Sequence, residues 1–296
     1  MKSALVFYNP KAGLVSKQKK QARLVEALQN INIDPEILRV QDYFYKGTQP
    51  MEEEYDLVIA AGGDGTIRLA ANWILKNNSQ MPLGVLPMGS GNLFAEAVGI
   101  PHNIKKALAN ISENHGIMID VGQVNEDEYF ILSFSFGHMA EVVGRTPIKE
   151  KRKLGFLAYW KKFLFHRIRL WDFDFEVDGQ HFNISGNNFF IFNAIRFMGF
   201  TPKKKYDIQD GILDAFITTN KTFFGWWISA LLLIIFKKPP SPAVFTTSGK
   251  IFKINPRQSR TIKAQFDGDR VELDRATVRV VPSALRIIVP KKSIYG

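Results

Sequence analysis

The sequence predicts an α/β domain built on a parallel sheet, followed by an antiparallel β domain. Two textures in the chain carry this reading. Over the first 110 residues, short runs that are apolar throughout alternate with stretches of helical periodicity, the pattern of strands buried on both faces by helices. After about Asp120 the helical stretches give way to many short strands separated by turn signals, which fits antiparallel pairing.

In chain order, Ala4–Tyr8 reads as a strand. Lys17–Asn30 reads as a helix with Ala22, Val25 and Leu28 on one stripe, and Ile37–Val40 as a strand. Leu57–Ala60 is a strand that leads through glycines to a helix from Thr66. Leu83–Leu86 is a strand, and a helix follows Gly91. The second domain is expected to contain strands at Tyr129–Phe136, Trp171–Val177, Phe189–Ala194, Ile212–Thr218, Ile251–Ile254, Thr261–Phe266, Thr277–Val281 and Leu285–Val289. Asp178-Gly179, between the alternating WDFDFEV and QHFNI, is a hairpin signal. The domains are placed at 1–120 and 121–285, with no low-complexity linker between them, so the ligand is expected where the two meet.

At 296 residues, 46% hydrophobic and 23% charged, the composition is that of a globular protein with a full core. There is no cysteine, and the five histidines are scattered, which excludes disulfides and thiolate or clustered zinc sites. The formal charge of +11 favours a polyanionic partner. Met1 to Tyr8 is too short an apolar run for a signal peptide, so a cytoplasmic protein is expected. Phe223–Phe236 is strongly apolar but falls short of the roughly 20 residues needed to span a bilayer.

The chemistry concentrates in three loops that follow strands of the first domain: NPKAG (9–13), GGDGT (62–66) and MGSGN (88–92). In a parallel sheet, loops at the carboxyl ends of strands share one edge, where ligands bind. Glycine lets backbone amides approach a phosphate, and a helix N-terminus favours its charge. Neither the Walker A nor the dinucleotide-fold glycine spacing is present, which disfavours a P-loop NTPase or a dehydrogenase. Asp64 is the carboxylate placed to orient Mg²⁺ beside a bound phosphate.

The second domain carries two acidic turns. YDIQDGILD groups Asp207, Asp210 and Asp214 around one turn, a spacing suited either to a cation or to a plain Asp-Gly turn. QFDGDRVE holds Asp267-Gly268-Asp269.

Taken in order, NPKAG, AAGGDGTI, LGVLPMGSGNLFAEAVGIP, IDVGQVN, SFGHMAEVVGRTPIKEKRKLGFLAYW, DIQDGILDAF, QFDGDRVE and VVPSALRIIVP resemble the diacylglycerol kinase catalytic-domain family of bacterial lipid kinases over nearly the whole chain. The more distant NAD kinases share the GGDGT loop. The resemblance implies a Rossmann-like first domain and a β-sandwich second domain, with the last strand, near 286–296, returning to the first. It also implies ATP-dependent phosphorylation of a lipid hydroxyl, as in diacylglycerol.

By this resemblance Asn9, Lys11, Ala12 and Gly13 form the first nucleotide loop. Gly62, Gly63, Asp64, Gly65 and Thr66 form the phosphate and metal loop, and Ser90 and Asn92 meet the nucleotide from the third. Asp120 matches an acidic position of the family counted with the metal, and Asp207, Asp210 and the Ile212 carbonyl match a structural Mg²⁺ site. Asp269 stands where the family has the glutamate that takes the proton from the lipid hydroxyl, one methylene shorter. Arg68-Leu69 stands where the family commonly has Asn-Glu. An NAD kinase-type phosphotransferase and a catalytically weak lipid-binding protein are the alternatives.

The segment 148–171 interleaves Lys and Arg with Phe, Tyr, Trp and Leu, and Trp226-Trp227 precede Lys237-Lys238. Basic residues flanking an aromatic, apolar face suit an anionic membrane surface. No nucleic-acid motif accompanies the charge, so a peripheral membrane protein is expected and nucleic acid is not; a homodimer is left open.

Overall fold

The computed structural model describes residues 1–11, 17–46, 55–126, 128–137, 170–194, 207–220, 225, 243–257 and 261–293. The chain divides into two compact units, Met1–Val121 with Val281–Gly296, and Gly122–Val280.

The first unit begins with β1 (Lys2–Tyr8), α1 (Lys17–Gln29), β2 (Ile33–Arg39) and α2 (Val40–Lys46). It continues through β3 (Leu57–Gly62), α3 (Asp64–Lys76), β4 (Leu83–Pro87), α4 (Leu93–Ala97), α5 (Ile104–Glu113) and the start of β5 (Gly116–Val124). The strands pair in the order β2-β1-β3-β4, all parallel, and Ile59 lies beside Val6 on one side and Gly84 on the other. Every residue of β3 is buried, as a central strand covered on both faces requires. Ile67, Ala70, Ala71 and Ile74 of α3 supply one of the covering faces.

Several sequence expectations are revised here. The second strand starts at Ile33, not Ile37, and contains Pro35. It is the last strand on its side of the sheet, where a residue without an N–H is tolerated, so the proline does not mark a break. Val40, expected to end that strand, opens α2 instead. On α1 the buried pair is Leu24 and Leu28, one turn apart, while Ala22 is exposed. The helix expected from Thr66 starts two residues earlier, capped by the extended backbone of Gly63.

The second unit comprises the end of β5, β6 (Glu128–Phe130), β7 (Ser133–Gly137), β8 (Trp171–Val177), β9 (Gln180–Gly186), β10 (Asn188–Phe192) and β11 (Leu213–Thr218). These are followed by β12 (Val244–Gly249), β13 (Ile251–Pro256), β14 (Ile262–Phe266), β15 (Asp269–Leu273) and the first part of β16 (Ala276–Ile288). One antiparallel sheet runs β12-β11-β10-β7-β14-β15, and the other layer runs β16-β13-β8-β9.

Alternate residues of both layers meet in one phenylalanine-rich core holding Phe134, Phe136, Phe173, Phe175, Phe189, Phe252 and Phe266. Phe136 and Phe189 stack at 4.4 Å, with Phe173 set edge-on to both. Asp178 and Gly179 have φ of 48° and 86°, the pair of positive angles that a two-residue hairpin turn needs.

Two strand expectations differ. Tyr129–Phe136 is two strands, broken at Ile131-Leu132. Thr277–Val281 and Leu285–Val289 are parts of the single strand β16, which passes through Ser283 at φ 47°. That strand pairs with β13 from Ala276 to Arg279, and Ile287 then pairs parallel with Leu83 of β4.

Candidate active site

The carboxyl ends of β1, β3 and β4 are joined residue by residue. The Asn9 amide donates to the Ala61 carbonyl at 3.1 Å, and the Met88 amide to the Gly62 carbonyl at 2.8 Å. The three glycine-bearing loops therefore start from one hydrogen-bonded edge, as their positions after parallel strands require. Within the first loop the Asn9 side chain accepts from the Lys11 amide at 3.0 Å. Ala12 and Gly13 lie outside the described residues.

The second loop becomes the first turn of α3. Gly63 is its N-cap, and Asp64 and Gly65 occupy first-turn positions whose amides have no partner within the helix. Thr66, buried at 3% exposure, packs so closely under Gly62 that a side chain on Gly62 would collide with it.

The third loop is folded on Asn92. Its side chain is buried, accepts from the Gly89 amide at 2.8 Å and donates to the Gly89 carbonyl at 3.0 Å, while its backbone takes the left-handed conformation at φ 52°. Asparagine tolerates that conformation better than most residues. The loop is thereby looped over a single side chain, leaving Ser90 and Gly91 exposed.

Second and third loops touch directly. A methyl on Gly89 would lie 2.5 Å from Gly63 Cα, so only two facing glycines permit this approach. The Asp64 carboxylate crosses from α3 to accept the Phe94 amide at 2.9 Å, in the first turn of α4. Sequence reading selected Gly63, Asp64 and Asn92 but missed Gly89 and Phe94; the first of the two glycines of MGSGN was the visible signal for Gly89.

Asp120, in β5, is buried at 1% exposure and accepts the Ser283 amide at 2.8 Å. It holds the left-handed kink of β16. In the second unit, the Asp207 carboxylate accepts from the Gln209 amide at 3.1 Å and Asp210 from the Ile212 amide at 3.1 Å, the self-bonding of aspartate turns. Asp214 accepts from Ser248 Oγ at 2.5 Å. Among the described residues no group of three or more His, Cys, Asp or Glu stands together to hold a metal ion.

Asp269 opens β15 and is exposed. It is paired across the strand with Phe266, and so shares the core-facing side of this edge strand with Val271 and Leu273. The other acid of the turn, Asp267, accepts from the amides of Ile131, Leu132 and Ser133.

A parallel sheet with glycine loops and a helix start at its carboxyl edge, and an acid crossing between two of those loops, is the frame of a phosphate-binding α/β protein. Residues 3–124 match the model of the diacylglycerol kinase catalytic domain. Diacylglycerol kinases of two Staphylococcus aureus strains, RF122 / ET3-1 and MRSA252, are 31% identical over 214 residues, spanning 70% of this chain and 68% of theirs. The crystal structure of a diacylglycerol kinase from Bacillus anthracis str. Sterne superposes with a TM-score of 0.74 at 20% identity, covering 99% of this chain and 98% of that one. Another solved structure from that strain gives 0.76 at 22% identity, again over 99% and 98%. These likenesses establish the fold. The chain belongs to the diacylglycerol kinase catalytic-domain family, a family of lipid kinases.

Proposed function

We propose that this lipid kinase transfers the γ-phosphoryl group of ATP to the hydroxyl of diacylglycerol or a related lipid at an anionic membrane surface. The observation that carries the reading is the stitched edge of the first unit, where Asn9–Ala61, Met88–Gly62 and Asp64–Phe94 hydrogen bonds bring three glycine loops together in a chain of this family. In this reading the first-turn amides of Asp64 and Gly65 face the phosphates, that of Thr66 being spent on the Gly63 carbonyl at 2.8 Å, and the start of α3 adds its positive end.

One carboxylate together with substrate phosphates suits Mg²⁺, which seldom requires an all-protein cage, and Asp64 is that carboxylate. When bound, Mg²⁺ neutralises charge on the phosphate oxygens. Asp269 accepts the proton of the lipid hydroxyl as its oxygen bonds to the γ-phosphorus and the bond to the leaving ADP oxygen breaks. Asp207, Asp210 and Ile212 are a second, structural Mg²⁺ position in this reading. Asp120, with its carboxylate on the Ser283 amide, supports the kink of β16 in this reading.

The membrane part of the reading rests on net charge and on the basic, aromatic segments 148–171 and 223–238, most of which lie outside the described residues. No helix among the described residues is long and apolar enough to cross a membrane. The relatives reported are named diacylglycerol kinases, which favours this substrate class over NAD.

Transfer of labelled γ-phosphate from ATP tests the whole. Mixed micelles of hydroxylated lipids are expected to yield a labelled phospholipid, and NAD no product. Label on NAD, or on neither, overturns the reading.

A further inference from the structure

Asp267-Gly268-Asp269 reads in sequence as one acidic turn, but the fold gives its two acids opposite roles. Asp269 is exposed at the tip of β15. Asp267 turns back onto the bend between β6 and β7: Oδ2 accepts the Ile131 amide at 2.9 Å, and Oδ1 accepts those of Leu132 and Ser133 at 2.9 and 2.8 Å. The Asp267 amide donates to the Ser133 carbonyl at 3.0 Å.

The bend is gripped from the other side as well. Asn193 Nδ2 donates to the Ile131 carbonyl at 3.1 Å, and the amides of Asn193 and Ala194 donate to the Leu132 carbonyl at 2.9 and 3.2 Å. This explains why the strand expected at Tyr129–Phe136 is interrupted. Its central amides and carbonyls are spent on Asp267 and on the end of β10.

We propose that Asp267 is the positioning residue for Asp269, its carboxylate clamping the β14–β15 turn onto the 131–133 bend so that the proton-accepting carboxylate is held in place; this rests on the reading of Asp269 as the base. The turn has only two residues, both at positive φ (47° and 95°), so a displacement of Asp267 passes directly to Asp269. Among the described residues strand β15 is the last of its sheet and pairs with β14, the strand that Asp267 ends against. Misplacing a reacting group by about 1 Å can cost on the order of 100-fold in rate. The similar turn at Asp178-Gly179 sets the comparison: the Asp178 carboxylate grips the amides of Lys250 and Ile251, yet the residue that follows the turn is Gln180, which cannot serve as a base.

The test is a double-mutant cycle in the full chain, with kcat and KM for ATP and lipid measured per folded molecule. Asp267→Asn is the near-isosteric probe; its single carbonyl oxygen keeps two of the three amide bonds and sets an NH2 against the third. Asp267→Ala removes all three. Asp267→Asn is expected to lower kcat by about 10- to 100-fold with KM for ATP unchanged, and to speed amide hydrogen exchange at Ile131. Placed in an Asp269→Asn background it is expected to change the residual rate by less than about twofold, because the group it positions is already gone. A wild-type kcat for Asp267→Asn, or losses that multiply in the double variant, overturns the proposal while leaving the base in place. A wild-type rate for Asp269→Asn alone removes the base, and the positioning role with it.

Discussion

The Asp64 carboxylate accepts the backbone amide of Phe94 at 2.9 Å, tying the first turn of α3 to the first turn of α4 across two loops. One oxygen thus serves structure, and the proposed metal role falls to the charge and the other oxygen. Asp64→Asn keeps a carbonyl acceptor for Phe94 and loses the charge. It is expected to melt near wild type and to lose on the order of 100- to 1,000-fold in kcat, the usual effect of deleting a charge-stabilising group. Asp64→Ala loses the bond too, and about 1.5–3 kcal/mol of stability besides. Phosphoryl transfer and thermal melts on both variants check this; an active Asp64→Asn enzyme sinks the assignment.

Gly63 and Gly89 make the second prediction. A Cβ on Gly89 would lie 2.5 Å from Gly63 Cα and 2.7 Å from Asn92 Oδ1, and neither a backbone carbon nor a buried, doubly bonded amide can step aside cheaply. Gly89→Ala is expected to part the second and third loops, costing about 1–3 kcal/mol, as overpacking does, and to raise KM for ATP. Titrating ATP against the variant reads this directly. A wild-type KM with wild-type stability would mean that the loops need not touch.

How much of this was legible in the sequence depends on whether a feature is local. The glycines and Asp64 announced a tight strand-to-helix loop because φ freedom and helix starts are properties of a few adjacent residues. The Asp178-Gly179 hairpin was legible for the same reason. What escaped were pairings across long separations: Asp64 with Phe94, Asp267 with a bend 134 to 136 residues earlier, Asp120 with Ser283. No window of residues displays such a pair. The interrupted strand at Ile131-Leu132 is the clearest case, since its apolar alternation is intact and the ladder is broken by distant partners, Asp267 on its amides and Asn193 and Ala194 on its carbonyls. Pro35 misled in the opposite sense, because whether a proline ends a strand depends on the strand's place in the sheet.

Tyr8, at the carboxyl end of β1, has a buried hydroxyl that finds no hydrogen-bond partner among the described residues. Burial pushes its phenol above the ordinary value, with the charge of Arg39 pulling weakly the other way. A raised folded-state value means that the contribution is complete below about pH 10, where the unfolded phenol begins to ionise, and is lost as pH rises through the folded value. Tyr8→Phe is therefore expected to be at least as stable as wild type at pH 7, since an orphaned hydroxyl costs about 1–3 kcal/mol to bury. The variant's advantage should widen above pH 10. Melting curves from pH 7 to 11 decide it, and a variant less stable at pH 7 would reveal a partner for the hydroxyl.

Asp269 supplies the last prediction, which starts from what the chemistry needs. A lipid alcohol attacks phosphorus slowly until its proton has an acceptor, and a carboxylate within about 2.6–3.2 Å contributes a factor of roughly 100 to 10,000. Asp269 is exposed at the tip of an edge strand, on the core-facing side with Val271 and Leu273, so it presents a polar acceptor beside an apolar surface. Its arm is one methylene shorter than glutamate, and the clamp at Asp267 keeps the backbone from drifting to make up the difference. Asp269→Asn should lower lipid phosphorylation by the factor above while ATP affinity and melting stay near wild type, because an exposed side chain carries little of the fold. Asp269→Glu reads the reach. If the clamped backbone already brings the shorter acid to the hydroxyl, the longer arm crowds the alcohol and slows turnover. If it does not, wild type is sluggish and Asp269→Glu accelerates it. Turnover by Asp269→Asn at the wild-type rate would mean that the proton leaves by another route, and no rearrangement of the turn would then alter kcat.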